Sequence, residues 1–147
     1  KNDSCCINYY HNAAGTLDPE SDQILEELAA WMPVNGEAIF GTRTWRPFGE
    51  GPTVVQDGHF NEKTLKFTAQ DVRYTRKGDI LYAIILGWPG DGADVHLTAF
   101  AKQTWFVRSV TLLGHSEPLK FKLDESGLKV TLPAKAPGKH AIVLKLQ

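Results

Sequence analysis

Cysteine is nearly absent from this chain: there are two, Cys5 and Cys6, and they are neighbours. Adjacent strand residues point to opposite faces. The pair therefore reads as two buried thiols rather than an ordinary structural disulfide, with a vicinal or intermolecular disulfide as the alternative. No CxxC spacing occurs, so no zinc or redox motif is supported. Long apolar runs are also missing. The longest, Ile80 to Trp88, is nine residues, against the roughly 20 that a bilayer-spanning helix needs. Charge of one sign is lacking too, with a formal net charge of -1. Nothing in that balance calls for nucleic acid or an anionic membrane surface. Neither an initiator Met nor a signal-peptide pattern opens the chain, which reads as a mature product or a fragment.

Reaction motifs are equally sparse. The five histidines, His11, His59, His96, His115 and His140, include no pair at the i, i+2 or i, i+4 spacing of a metal site. No Gly-x-Ser-x-Gly elbow frames a serine. Gly49 and Gly51 lack the preceding strand and following Lys-Ser/Thr of a phosphate loop. No metal and no cofactor are expected. Glu26-Glu27 falls on the polar side of a helical pattern and Asp124-Glu125 in a turn, so each reads as a solvated pair. Paired-carboxylate chemistry needs two carboxyl groups facing each other about 5 Å apart, which sequence cannot show.

What is present is a core. The 147 residues are 42% hydrophobic with four Trp, seven Phe and four Tyr, enough for one domain. Charge is unevenly spread. Residues 1–60 carry 3 basic and 9 acidic side chains, and residues 61–147 carry 13 and 8. This reads as two solvated faces of opposite sign. The sharper alternative packs the acidic part against the basic remainder or against a missing partner.

Residues 2–10 hold a short apolar and aromatic run that suits a strand. Asp18-Pro19-Glu20 is a helix start: Asp as N-cap, Pro at the first helical position, acids in the first turn. Ile24, Leu25, Leu28, Trp31 and Met32 follow the 3.6-residue period, and Pro33 is expected to end the helix. From Asn35 to Asp57, Gly and Pro recur every few residues. This stretch reads as a long ordered connector with a helical turn near Glu37 to Phe40, anchored by Trp45 and Phe48.

From residue 64 onward the period is 2. Strands are expected at Leu65–Phe67, at Val72–Tyr74 before a Lys77-Gly78-Asp79 turn, and along Leu81 to Trp88. Others are expected at Val95–Ala101, Val107–Leu113, Leu119–Leu123, Leu128–Leu132 and His140–Leu146. Turn signals near every ten residues make this an antiparallel sandwich or barrel. The expected fold is mainly β: an antiparallel β-sandwich of Greek-key type, about 7–8 strands, preceded by one amphipathic helix and a long linker.

One block is more specific. Val34-Asn35-Gly36-Glu37-Ala38-Ile39-Phe40-Gly41-Thr42-Arg43 resembles the junction between the catalytic barrel and the C-terminal β-sandwich of α-L-fucosidases, glycoside hydrolase family 29. Phe48-Gly49-Glu50-Gly51-Pro52 is similar to the next block of that family. Lys77-Gly78-Asp79-Ile80-Leu81-Tyr82-Ala83-Ile84, Val110-Thr111-Leu112-Leu113-Gly114 and Leu128-Lys129-Val130-Thr131-Leu132-Pro133 resemble its sandwich strands. Upstream the chain departs from the pattern. Cys5-Cys6 replaces an aliphatic pair, and Tyr9, Tyr10, His11 and Ala14 stand where the family has a Pro-rich loop and an Asp.

The resemblance implies a division into residues 1–34, a remnant of the barrel, residues 35–63, a linker, and residues 64–147, the sandwich. It implies hydrolysis of terminal α-L-fucosides by a parent enzyme that is secreted, periplasmic or lysosomal. The nucleophile and the acid/base lie in the barrel, and no catalytic residue maps onto this sequence. The chain's own job is then support and docking, with Ile24, Leu25, Leu28, Trp31, Met32 and Arg43 as interface residues. The partner is the catalytic barrel, or a second copy through the helix. Two alternatives stand: a freestanding carbohydrate-binding module for fucosylated glycans, or the small subunit of a split α-L-fucosidase. Trp45, Trp88 and Trp105 are the saccharide-stacking candidates, although aromatics more often pack in cores.

Overall fold

The computed structural model describes residues 7–9, 11–54, 65–101 and 106–147. Cys5, Cys6 and most of the strand read at residues 2–10 lie outside these. Residues 7–9 are irregular, and the first regular contact is a bridge between His11 and Leu17.

Helix α1 spans Pro19–Asn35. Asp18 caps it as its residues dictate. The Asp18 carboxylate accepts from the Ser21 amide at 2.9 Å and from the Ser21 hydroxyl at 2.8 Å, which satisfies one of the unpaired amides of a first turn. The helix does not stop at Pro33 as expected; it runs two residues further. A proline in the last turn removes only one ladder donor. The Gly36 amide still bonds to Met32 O, and the Asn35 side-chain amide donates to Trp31 O at 3.2 Å. A short 3-10 turn, Gly36–Ala38, follows.

Eight strands follow, seven of them in the period-2 stretch; the strand expected at Leu65–Phe67 is irregular. They are β1 (Arg43–Glu50), β2 (Val72–Lys77), β3 (Ile80–Ile85), β4 (Asp94–Leu97), β5 (Val110–Leu112), β6 (Phe121–Asp124), β7 (Gly127–Thr131) and β8 (Ile142–Leu146). All pairings are antiparallel. One sheet has the order β1-β2-β3-β8-β5 and the other β4-β7-β6. The chain crosses between the sheets after β3, β4, β5 and β7, so this is a sandwich and not a simple meander.

Two further expectations are corrected. The stretch read as a connector contributes β1, an edge strand whose register shifts between Thr44 and Gly49; its Gly and Pro residues sit at and around that bulge, where sheets tolerate them. The strand expected to run on through Ala101 ends at Leu97, because Thr98–Phe100 turn as a 3-10 helix that drives Phe100 into the core.

The main core lies between the sheets. It includes Trp45, Val72, Tyr74, Leu81, Ala83, Ile85, Leu97, Phe100, Leu112, Val130 and Leu144. Trp45 stacks on Phe100 at 5.4 Å and meets Tyr74 edge-on at 5.2 Å. A second cluster covers the opposite face of the five-stranded sheet, where Ala38, Tyr82, Ile84 and Val143 are buried under Trp31 and Ala141. Strand β3 is thus covered on both faces, which is why its sequence is apolar throughout rather than alternating. The molecule has three layers: α1, the large sheet and the small sheet.

Candidate functional site

Among the described residues no group of three or more His, Cys, Asp or Glu could hold a metal ion. One Ser, His and Asp do meet, at the β6–β7 turn. Ser126 Oγ donates to Asp124 at 2.6 Å and faces His96 Nε2 at 3.3 Å. This is not a nucleophile arrangement. In a triad the carboxylate orients the imidazole and the imidazole takes the serine proton, whereas here the serine proton goes to the carboxylate. Ser126 and Lys122 hold the Asp124 carboxyl down, at about 2, so it is a fixed anion in an exposed turn. Glu26 and Glu27 lie on α1, exposed and half-buried respectively. Glu27 is engaged by Gln23 at 3.2 Å and by His140 at 3.0 Å. The Gln23 bond, opposed by partial burial and aided by His140, keeps its carboxyl below the ordinary value.

The most developed surface lies around α1. Trp31 seats the helix on the large sheet by donating its indole N–H to Ala141 O at 2.7 Å. The Glu27–His140 pair joins the same helix to the loop that leads into β8. On either side of this joint lies an open apolar groove. One, of about 330 Å³, runs between Ala30, Trp31 and Val34 on the helix and Pro137 to Ile142 on the loop. The other, of about 350 Å³, is bounded by Ile24, Leu28, Trp31 and Ala141. Beyond them Ile24 is 44% exposed and Leu25 36%. Exposed apolar surface of this kind marks an interaction face more often than an idle one.

The expected interface residues separate on this frame. Leu28, Trp31 and Met32 are half-buried, Ile24 and Leu25 face outward, and Arg43 is exposed at the start of β1. The loop Pro137 to Ala141, which walls the first groove and lends His140 and Ala141 to the second, has no signal in the sequence beyond its Pro-Gly turn. Of the saccharide-stacking candidates, Trp45 is buried between Tyr74 and Phe100. Trp88 is half-buried with its indole N–H on Asp91 at 2.9 Å, and Trp105 lies outside the described residues.

Two carboxylates, Asp71 buried and Glu50 half-buried, escaped the sequence reading, and both are structural staples. Asp71 accepts from Thr53 N and Oγ1 at 2.9 and 2.8 Å, and from Thr68 N and Oγ1 at 2.8 and 3.1 Å. Burial alone would raise its pKa, but these four bonds outweigh it and hold the carboxyl below its usual value. Gly51, at φ +130°, passes directly against Asp71, so a side chain there would collide with it. Glu50 accepts from Tyr74 Oη at 2.6 Å, from Ala99 N at 2.9 Å and from the Thr98 hydroxyl, tying β1 and β2 to the turn that follows β4. Burial, reinforced by this bond, pushes the Tyr74 phenol well above its ordinary value.

The class of protein that the fold defines is a helix-capped antiparallel β-sandwich. The profile described as "Alpha-L-fucosidase C-terminal domain" matches residues 66–147. Plasma alpha-L-fucosidase of Homo sapiens is 33% identical over 135 residues, covering 88% of this chain and 26% of that enzyme. Tissue alpha-L-fucosidase of Bos taurus is 34% identical over 149 residues, covering 95% and 27%. The Thermotoga maritima alpha-fucosidase structure superposes with a TM-score of 0.68 at 24% identity, covering 95% of this chain and 29% of that one, a likeness of fold alone. The chain belongs to the α-L-fucosidase C-terminal domain family. It spans about a quarter of the length of the curated relatives it matches.

Proposed function

We propose that this chain is the C-terminal accessory part of an enzyme that hydrolyses terminal α-L-fucosides, and that it docks on the catalytic domain without doing chemistry itself. The observation that carries the reading is the face of α1: Ile24 and Leu25 turned outward and apolar grooves flanking Trp31, on a chain about a quarter as long as its relatives. In this reading residues 1–34 belong with the catalytic domain, residues 35–63 join the two while lending β1, and residues 64–147 form the rest of the sandwich. The catalytic domain supplies the two carboxylates of a retaining mechanism. Arg43 adds a polar contact at the rim of the interface.

The enzyme works in a secreted, periplasmic or lysosomal setting on this reading. Among the described residues no helix is long and apolar enough to cross a membrane.

The test is turnover of an aryl α-L-fucoside. The pure 147-residue chain is expected to show none. Addition of a separately produced catalytic domain of a relative is expected to give a stable complex. Turnover by the pure chain alone sinks the proposal.

A further inference from the structure

The apolar row of α1 does not end with the helix. Ile24, Leu28 and Met32 are spaced four residues apart and so share one side of it. The next position in the row is Gly36, which has no side chain. Phe40, from the turn after the short 3-10 segment, takes that place. A Cβ on Gly36 would sit 3.3 Å from the Phe40 ring and 3.9 Å from the Met32 methyl. Ring and methyl thus converge on the gap that the glycine leaves. Two amides hold the turn that brings Phe40 back: Ile39 N at 3.0 Å and Phe40 N at 2.8 Å both donate to Gly36 O.

From Ile24 to Gly36 the row runs about 18 Å at the helical rise. Its two ends are its most exposed members. Ile24 is 44% exposed and Phe40 65%, whereas Leu28 and Met32 are half-buried. An apolar contact back onto the last turn commonly closes a helix, and the Met32 contact serves that end. It leaves most of Phe40 open all the same. The position of this row along the chain says what meets it. The C-terminal-domain profile begins at residue 66, yet the likeness to the Bos taurus enzyme covers 95% of the chain. Helix α1 and Phe40 therefore fall in the stretch that is shared with the enzyme and precedes the C-terminal domain.

We propose that Phe40 is the anchor of the docking face, seated in an apolar pocket of the catalytic domain at the end of the Ile24–Leu28–Met32 row. This rests on the docking reading and adds to it the residue that fixes the two surfaces in place. Aromatic side chains with few rotatable bonds lose little freedom on binding, and a few such anchors carry most of an interface's energy. The row sets the direction of the contact, and the ring at its end sets the position along it.

The experiment measures binding of the 147-residue chain and its variants to the separately produced catalytic domain of a relative, with melting temperature read in parallel. Phe40→Ala is expected to weaken the complex at least about tenfold, and Phe40→Leu, which keeps an apolar side chain, to bind within about threefold of the unchanged chain. Neither should lower the melting temperature. Phe48→Ala, which removes an exposed ring near the other end of β1, is expected to leave binding unchanged.

A lower melting temperature in Phe40→Ala would assign the ring to the helix end alone and overturn the anchor. Equal weakening by Phe48→Ala overturns it too. So does a Phe40→Ala chain that binds the catalytic domain fully but no longer self-associates, since the ring would then meet a second copy. If Phe40→Ala binds fully while Ile24→Lys/Leu25→Lys does not, the anchor fails and the docking reading stands. If the unchanged chain forms no complex, the docking reading fails and takes the anchor with it.

Discussion

At the scale of single residues, the sandwich depends on two carboxylates. Asp71→Asn keeps the shape but replaces one of the two accepting oxygens with an NH2 that cannot accept, so at least the Thr53 N–H loses its acceptor. Leaving buried donors unpaired costs about 1–3 kcal/mol, so a loss of about 2–3 kcal/mol is expected, read as a melting temperature lowered by roughly 5–10 °C. The pH dependence follows from the direction of the shift. The folded pKa of Asp71 is depressed, so its contribution is complete above the unfolded value near 3.9 and is lost as pH falls through the folded value. Acid titration of stability should therefore be flatter in the Asn variant.

Tyr74 runs the other way. Its folded pKa is raised, so its contribution holds below about pH 10 and is lost in stronger alkali. Tyr74→Phe should remove that alkaline loss, measured by denaturation between about pH 9 and 11. Neither residue was legible in the sequence. Asp71 stands at the start of a strand, as many turn acids do. Nothing in its spacing reveals that Thr53 and Thr68 converge on it from either side of a long excursion.

At the scale of elements, the period-2 pattern was readable because each strand buries alternate side chains, and β3 was readable as central because it is covered on both faces. Boundaries followed the tertiary structure instead. Asn35 and Gly36 carry α1 past Pro33, and pairing with β2 turns a Gly- and Pro-rich connector into an edge strand. The seating of α1 is itself testable. Among the described residues Trp31 donates to Ala141 O in the loop that leads into β8, beside the Glu27–His140 pair, and open grooves flank it. Trp31→Phe keeps most of the apolar contact and removes the donor. The cost is expected to be about 1 kcal/mol, with Ala141 O left to water. In hydrogen exchange the amides of α1 should lose protection while those of β3 and β8 keep theirs. Equal loss in all three would mean that the helix is part of one cooperative core with the sandwich.

At the scale of the whole molecule, the family was legible because the junction block is local in sequence. Which side of α1 faces outward was not, because it depends on how α1 is rotated on the sheet. Periodicity marks Ile24, Leu25, Leu28, Trp31 and Met32 as one stripe, yet the fold divides that stripe. Trp31 turns to the sandwich, and Ile24 and Leu25 turn outward. On the docking proposal the sandwich is one partner of this helix and its outward side meets the other. In the 147-residue chain on its own the outward side meets either water or another copy.

Self-association through α1 is therefore expected, visible by sedimentation as a concentration-dependent shift from monomer toward dimer. Ile24→Lys/Leu25→Lys should abolish it with little change in melting temperature, because neither residue belongs to a buried cluster. The same pair of changes should weaken the complex with a catalytic domain. A chain that stays monomeric at high concentration and still binds that domain after both substitutions would place the docking surface elsewhere on the sandwich.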